Sequence, residues 1–136
     1  MSTSPASAVN ALEEALGVET DLQTELAAIL TREHFLLTTM SLEELSRLEA
    51  QKEAVLERVG GQAESLKNCV KALAEALSLP ESETPSLSGI TAHLHERERT
   101  RLRKAQEDLI ALTGTVRDQN RINDRLIHGS LSYVTQ

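Results

Sequence analysis

Leucine, alanine, isoleucine and valine recur at three- and four-residue spacing along nearly the whole chain. That spacing is the period of one face of an α-helix, so the chain must bury long helical stripes against one another. Three prolines, Pro5, Pro80 and Pro85, leave long stretches filled with the helix formers Leu, Ala, Glu, Arg, Lys and Gln. No run of Val, Ile, Thr and aromatic residues alternates at period two, so strands are not expected.

The first stripe starts near Ser7 and carries Val9, Leu12, Leu16, Leu22, Leu26, Ile29, Leu30, Leu36, Leu37 and Met40. It predicts a helix over about residues 7–39. Ser41 and Glu44 make an S-x-x-E capping box, in which each side chain satisfies an unpaired backbone donor at a new helix start. The chain therefore turns back over Thr38 to Ser41, and a second helix is expected over about 42–78. Its stripe reads Leu45, Leu48, Lys52, Val55, Val59, Leu66, Val70, Leu73 and Leu77, and the phase survives Gly60 and Gly61. Phase continuity favours one helix through the glycines. Each costs about 1 kcal/mol relative to alanine in a helix interior, so a break at 60–61 is the alternative.

Residues 79–86 read as a linker by their Pro, Ser, Glu and Thr content. A third helix is expected over about 87–128, followed by a C-terminal tail, with Ile90, Leu94, Leu102, Ala105, Leu109, Leu112 and Val116 turned inward. The spacing from Leu102 to Val116 is a heptad seam, which implies side-by-side packing at a shallow angle. The predicted fold is all-α: an elongated antiparallel helical bundle or coiled coil of three long helices in a single domain, residues 1–136.

The net charge of −7 argues against nucleic acid or an anionic membrane as main partner, since both attract positive surfaces. No apolar run approaches the roughly 20 residues of a membrane span, and Met1 to Ser7 lacks the pattern of a signal peptide. Stable membrane insertion is therefore not expected, and a cytoplasmic location is. Cys69 stands alone among Leu66, Val70 and Leu73, which points to a buried, inert thiol.

Catalysis is not expected. A di-iron carboxylate bundle needs Glu-x-x-His, but Thr31, Ile90, Ala92 and Arg125 stand three residues before the four histidines. His93 and His95 lie about 200° apart on a helix and cannot converge on one ion, so no metal or cofactor is expected and the histidines read as surface residues. No nucleophile elbow, phosphate-binding glycine loop or Cys-x-x-Cys pair is present. The run Arg97, Arg99, Arg101, Arg103, Lys104 alternates sides of its helix among glutamates, and reads as a solvated face.

Beyond Val116 the seam turns polar. Its positions become Gln119, Asn123, Leu126, Ser130 and Tyr133, with Asn120 alongside. A buried amide without partners costs roughly 1–3 kcal/mol, so these groups are paired across the bundle, hydrated, or awaiting a ligand. One reading is a polar layer that sets helix register. The other starts from the apolar residues that follow, Ile122, Leu126, Ile127, Leu131, Tyr133 and Val134, on a segment weakened by Gly129. Such a segment can fray and then order against an amphipathic helix of another protein.

The block Asn120-Arg-Ile-Asn123-Asp-Arg-Leu126-Ile127-His-Gly-Ser130-Leu131 resembles the N-x-x-N-x-x-L-[LI]-x-x-S-L block of the FlgN family of flagellar type III export chaperones. Leu12, Leu16, Glu19, Leu26, Leu30 and Glu33 resemble that family's first helix, and Leu45, Leu48, Lys52, Val55 and Leu56 its second. The resemblance implies a cytoplasmic chaperone without enzymatic activity. Its implied clients are the C-terminal helical regions of the hook-filament junction proteins FlgK and FlgL, kept unpolymerised and delivered to the export gate. It makes Asn120, Asn123, Leu126, Ile127, Ser130 and Leu131 client-binding candidates and Tyr133 a candidate for docking export-gate components. A coiled-coil scaffold that forms a homo-oligomer through its apolar stripe is the competing expectation.

Overall fold

The computed structural model describes residues 4–79 and 87–135, and the side chains of all of these except 88 and 130–135. The fold is all-α: α1 (Pro5–Thr38), α2 (Leu42–Ala76), a short α3 (Leu87–Thr91) and α4 (Glu96–Thr135), with no strand among the described residues. Most of the segment expected to be a linker, 80–86, lies outside the described residues.

α1 ends and α2 begins through one tight connection. The backbone N–H of Ser41 donates to the Leu36 carbonyl at 3.0 Å while Met40 takes φ 56°. This is the six-to-one bond and left-handed residue of a Schellman cap. The end of α2 repeats it, with Ser78 at φ 57° and Leu79 N–H donating to Ala74 O at 3.0 Å. The carboxylate of Glu44, expected in a capping box with Ser41, instead accepts a hydrogen bond from Arg32 at 3.0 Å. The Ser41 hydroxyl lies 3.1 Å from that of Thr39. Met40, placed by its spacing on the buried stripe of the first helix, is 59% exposed because the chain has already turned there.

α2 runs unbroken through Gly60 and Gly61. On its stripe, Gln62 follows Val59 and donates to the Ala15 carbonyl at 3.2 Å, so a polar side chain carries the seam past the glycines.

The helix expected over 87–128 is two helices. His93 and Leu94 donate to Ile90 O and Thr91 O in a tight turn, and α4 starts afresh with Arg99 N–H donating to His95 O. In one continuous helix Ile90 and Leu102, twelve residues apart, would point about 120° away from each other. The break lets Ile90, Leu94 and Leu102 enter one core. Glu96 and Glu98 in the first turn of α4 suit the positive end of its dipole. At its other end α4 remains helical to Thr135, where a tail beyond about 128 was expected.

The chain forms two compact units. The first comprises Met1–Thr20 and Gly60–Leu109, the second Asp21–Val59 and Ile110–Gln136. Ala8, Val9, Leu12 and Leu16 of α1 meet Leu73, Ile90, Leu94 and Leu102 in the core of the first, with half-buried Cys69 packed against them. The second has a smaller core of Leu26, Leu30, Val55 and Val116. Within the second unit α1 and α4 run in the same direction, since Leu26 and Leu30 meet Val116 while Leu30 and Glu33 meet Asn123. α2 runs against both, as the pairs Glu25–Arg58 and Glu33–Lys52 require.

Candidate functional site

The polar interruption of the α4 seam lies inside the second unit, and Asn123 is at its centre with no exposed surface. Its amide Nδ2 donates to the Leu30 carbonyl at 2.9 Å and to Glu33 Oε1 at 2.8 Å. Its Oδ1 accepts from Gln119 Nε2 at 3.1 Å. The same oxygen lies 3.2 Å from His34 Nδ1, and because an amide oxygen cannot donate, that ring nitrogen carries the proton. Two donors and two acceptor sites are the full capacity of an asparagine side chain, and all are used.

Glu33 is likewise fully buried, and its other oxygen accepts from Lys52 Nζ at 2.9 Å. Removing either charge from such a pair would strand the other away from water. Glu49 adds a second carboxyl. Burial of Glu33 works to raise its pKa, but hydrogen bonds from Glu49, Lys52 and Asn123, with the Lys52 charge, outweigh it and hold the group below the usual 4.5. Glu49 is pushed the other way, to about 7, first by its hydrogen bond to Glu33, then by burial and the Glu33 charge, with Asp124 adding to the effect. Oε1 of Glu49 has no donor facing it. Two carboxyls in contact share a hydrogen bond only when one is protonated, and Glu33, held by a lysine and an amide, is the one that stays ionised.

Of the residues singled out in the sequence, Asn123 thus serves the internal layer. Asn120 is half-buried and lines a groove of about 220 Å³ floored by Leu26 and Leu30 of α1 and walled by Leu56 and Val59 of α2 and Val116 of α4. Leu126 and Ile127 are half-buried, and neighbouring Ile122 is 45% exposed. Ser130, Leu131 and Tyr133 belong to the last turns of α4, but their side chains lie outside the described residues.

Register gives that last part of α4 its character. From Glu33, five residues remain to the end of α1 at Thr38, and five beyond Asn123 reach His128. α4 continues to Thr135, so residues 129–135 have no α1 residue level with them. At 1.5 Å per residue this is an overhang of about 10 Å.

Sequence reasoning did not find Glu49, His34 and the Glu33–Lys52 pair as members of the layer. The readable signal was Lys52, a cation on an otherwise apolar stripe. His34, read as a surface residue, is half-buried against Asn123, whereas His93, His95 and His128 are exposed. Among the described residues no group of three or more His, Cys, Asp or Glu could hold a metal ion, and no helix is long and apolar enough to cross a membrane.

A family model described as FlgN protein matches residues 1–136, the whole length of the chain. No curated protein and no solved structure matches it.

Proposed function

The chain belongs to the FlgN family of flagellar export chaperones, and on that premise we propose that it binds the C-terminal helical regions of the junction proteins FlgK and FlgL. It does so in the cytoplasm, where it prevents their premature assembly and delivers them to the export gate. The observation that carries this reading is the overhang of α4: residues 129–135 outrun α1, directly after the half-buried pair Leu126 and Ile127. A helix that outruns one of its neighbours can bury the side so freed against another protein.

In this reading Asn120, Leu126, Ile127, Ser130 and Leu131 contact the client. Asn123 acts through position: its four hydrogen bonds fix the register of α4 on α1, and so fix where the overhang begins. Tyr133 is left for docking at the export gate.

Deleting residues 129–136 is the test, because it removes the overhang and leaves the Asn123 layer whole. Capture of full-length FlgK and FlgL, followed by calorimetry, should weaken by about tenfold or more, since anchors at interface centres carry most of the binding energy. Helicity and melting should barely change. Undiminished capture would refute the assignment.

A further inference from the structure

The groove of the second unit lies over α1 between α2 and α4. α1 closes it behind, α2 and α4 form its two walls, and Leu56 on the α2 wall is 46% exposed. At about 220 Å³ it falls below the roughly 300–1,000 Å³ typical of small-molecule pockets, and half of its lining residues are aliphatic. It suits side chains projecting from a helix better than a cofactor.

Charge says what kind of helix. Glu49, Glu53 and Leu56 follow at four- and three-residue spacing, so they share one face of α2. Leu56 lines the groove with Val116 and Asn120 of α4, and Asp124 of α4 acts electrostatically on Glu49. Glu53 and Asp124 are exposed, and among the described residues neither has an ion pair. Glu53 stands one turn from groove-lining Leu56 and Asp124 one turn from groove-lining Asn120, so a cation at that end of the groove would lie near both carboxylates. Arg117, exposed and also without an ion pair, lies seven residues earlier on α4 beside the apolar part of the groove.

Resting on the chaperone reading above, we propose that the client docks in this groove as an amphipathic helix. Its apolar residues sit on Leu56 and Val59 over Leu26 and Val116, an acidic residue meets Arg117, and a basic residue about two turns away sits between Glu53 and Asp124. The spacing follows from the seven residues separating Arg117 from Asp124, about 10 Å of helix. Asn120 joins this groove to the overhang, since Asn120, Asn123 and Ile127 share one flank of α4 at three- and four-residue spacing.

The experiment places a photo-crosslinking residue at Leu56, at Thr113, at Leu131 or, as a control on the outer face of α1, at Ala28, in the otherwise unaltered chain mixed with full-length FlgK. Crosslinks to FlgK are expected from positions 56 and 113 and not from 28. Leu56→Asp should weaken FlgK binding about tenfold or more, and so should Glu53→Lys combined with Asp124→Lys, with circular dichroism unchanged. Crosslinks from position 131 but not from 56 or 113 would overturn the groove while leaving the chaperone reading intact. Crosslinks from position 56 to a second copy of this chain would make the groove a self-interface and overturn the proposal. Failure of the wild-type chain to capture either FlgK or FlgL would remove the chaperone reading itself, and the groove proposal with it.

Discussion

Asn123 satisfies every hydrogen-bonding site it has, and two of its partners, Glu33 and the Leu30 carbonyl, accept from it in a space closed to water. Asn123→Ala would leave both short of a donor. The expected loss of unfolding free energy is about 2–4 kcal/mol, read by urea denaturation; a loss below about 1 kcal/mol would show that water replaces the amide. Glu49 makes a prediction of opposite sign. Its folded pKa of about 7 exceeds the ordinary 4.5, so the stability it contributes is complete below about pH 4.5 and is lost as the pH rises toward 7. Glu33 behaves inversely: its contribution is complete above 4.5 and is lost as pH falls through its lowered value. Glu49→Gln should therefore melt higher than wild type at pH 8, by an amount on the order of 1–2 kcal/mol after allowing for solvent screening, with little difference at pH 4.5. Equal melting at both pH values would remove the shared proton. The polarity of position 123 was legible in the sequence because heptad spacing predicts a buried residue there. Its partners were not, because Glu33, His34 and Glu49 lie on other helices and nothing in local spacing aligns α1 and α2 with α4.

Helix boundaries divided by the kind of signal that set them. Apolar phase carried the reading of α2 through Gly60 and Gly61, and the helix is continuous there. A Cβ added at either glycine would meet nothing within 4 Å, so neither is needed for close packing in this chain. The break at residues 92–95 was not legible. Ile90, Leu94 and Leu102 all have suitable spacing to a neighbour, and only their convergence on one core shows that the phase has to be reset. At the α1–α2 turn the sequence marks the place but not its geometry, since a left-handed residue usually announces itself as glycine or asparagine and here it is Met40. A residue with a Cβ in that conformation costs roughly 1–2 kcal/mol. With its side chain 59% exposed, little packing would be lost on replacement. Met40→Gly should raise unfolding free energy by about 0.5–1 kcal/mol in chemical denaturation, and a destabilised variant would show that the methionine makes contacts worth more than its strain.

Across the whole chain, two cores of different composition share three helices. The first is the larger and almost wholly aliphatic; the second gives part of its interior to a charged layer and carries the groove and the α4 overhang. Stability and client capture should therefore respond to different substitutions. Leu12→Ala, at a fully buried position of the first core, should lower unfolding free energy by about 2–5 kcal/mol and leave FlgK affinity, measured well below the melting temperature, within about twofold of wild type. A parallel collapse of affinity would show that the first core governs the client site. The all-α class was legible because stripe and composition agree over nearly the full length, whereas the groove needed three helices in register before it existed at all. The reach of α4 past the end of α1 has one practical consequence. The chain has no tryptophan, and its single tyrosine, at position 133, lies in that projecting stretch. The protein thus carries an intrinsic fluorophore within one helical turn of Ser130 and Leu131, the residues proposed to meet the client, and arrival or release of a client segment free of aromatic rings should be readable by ultraviolet emission without any label.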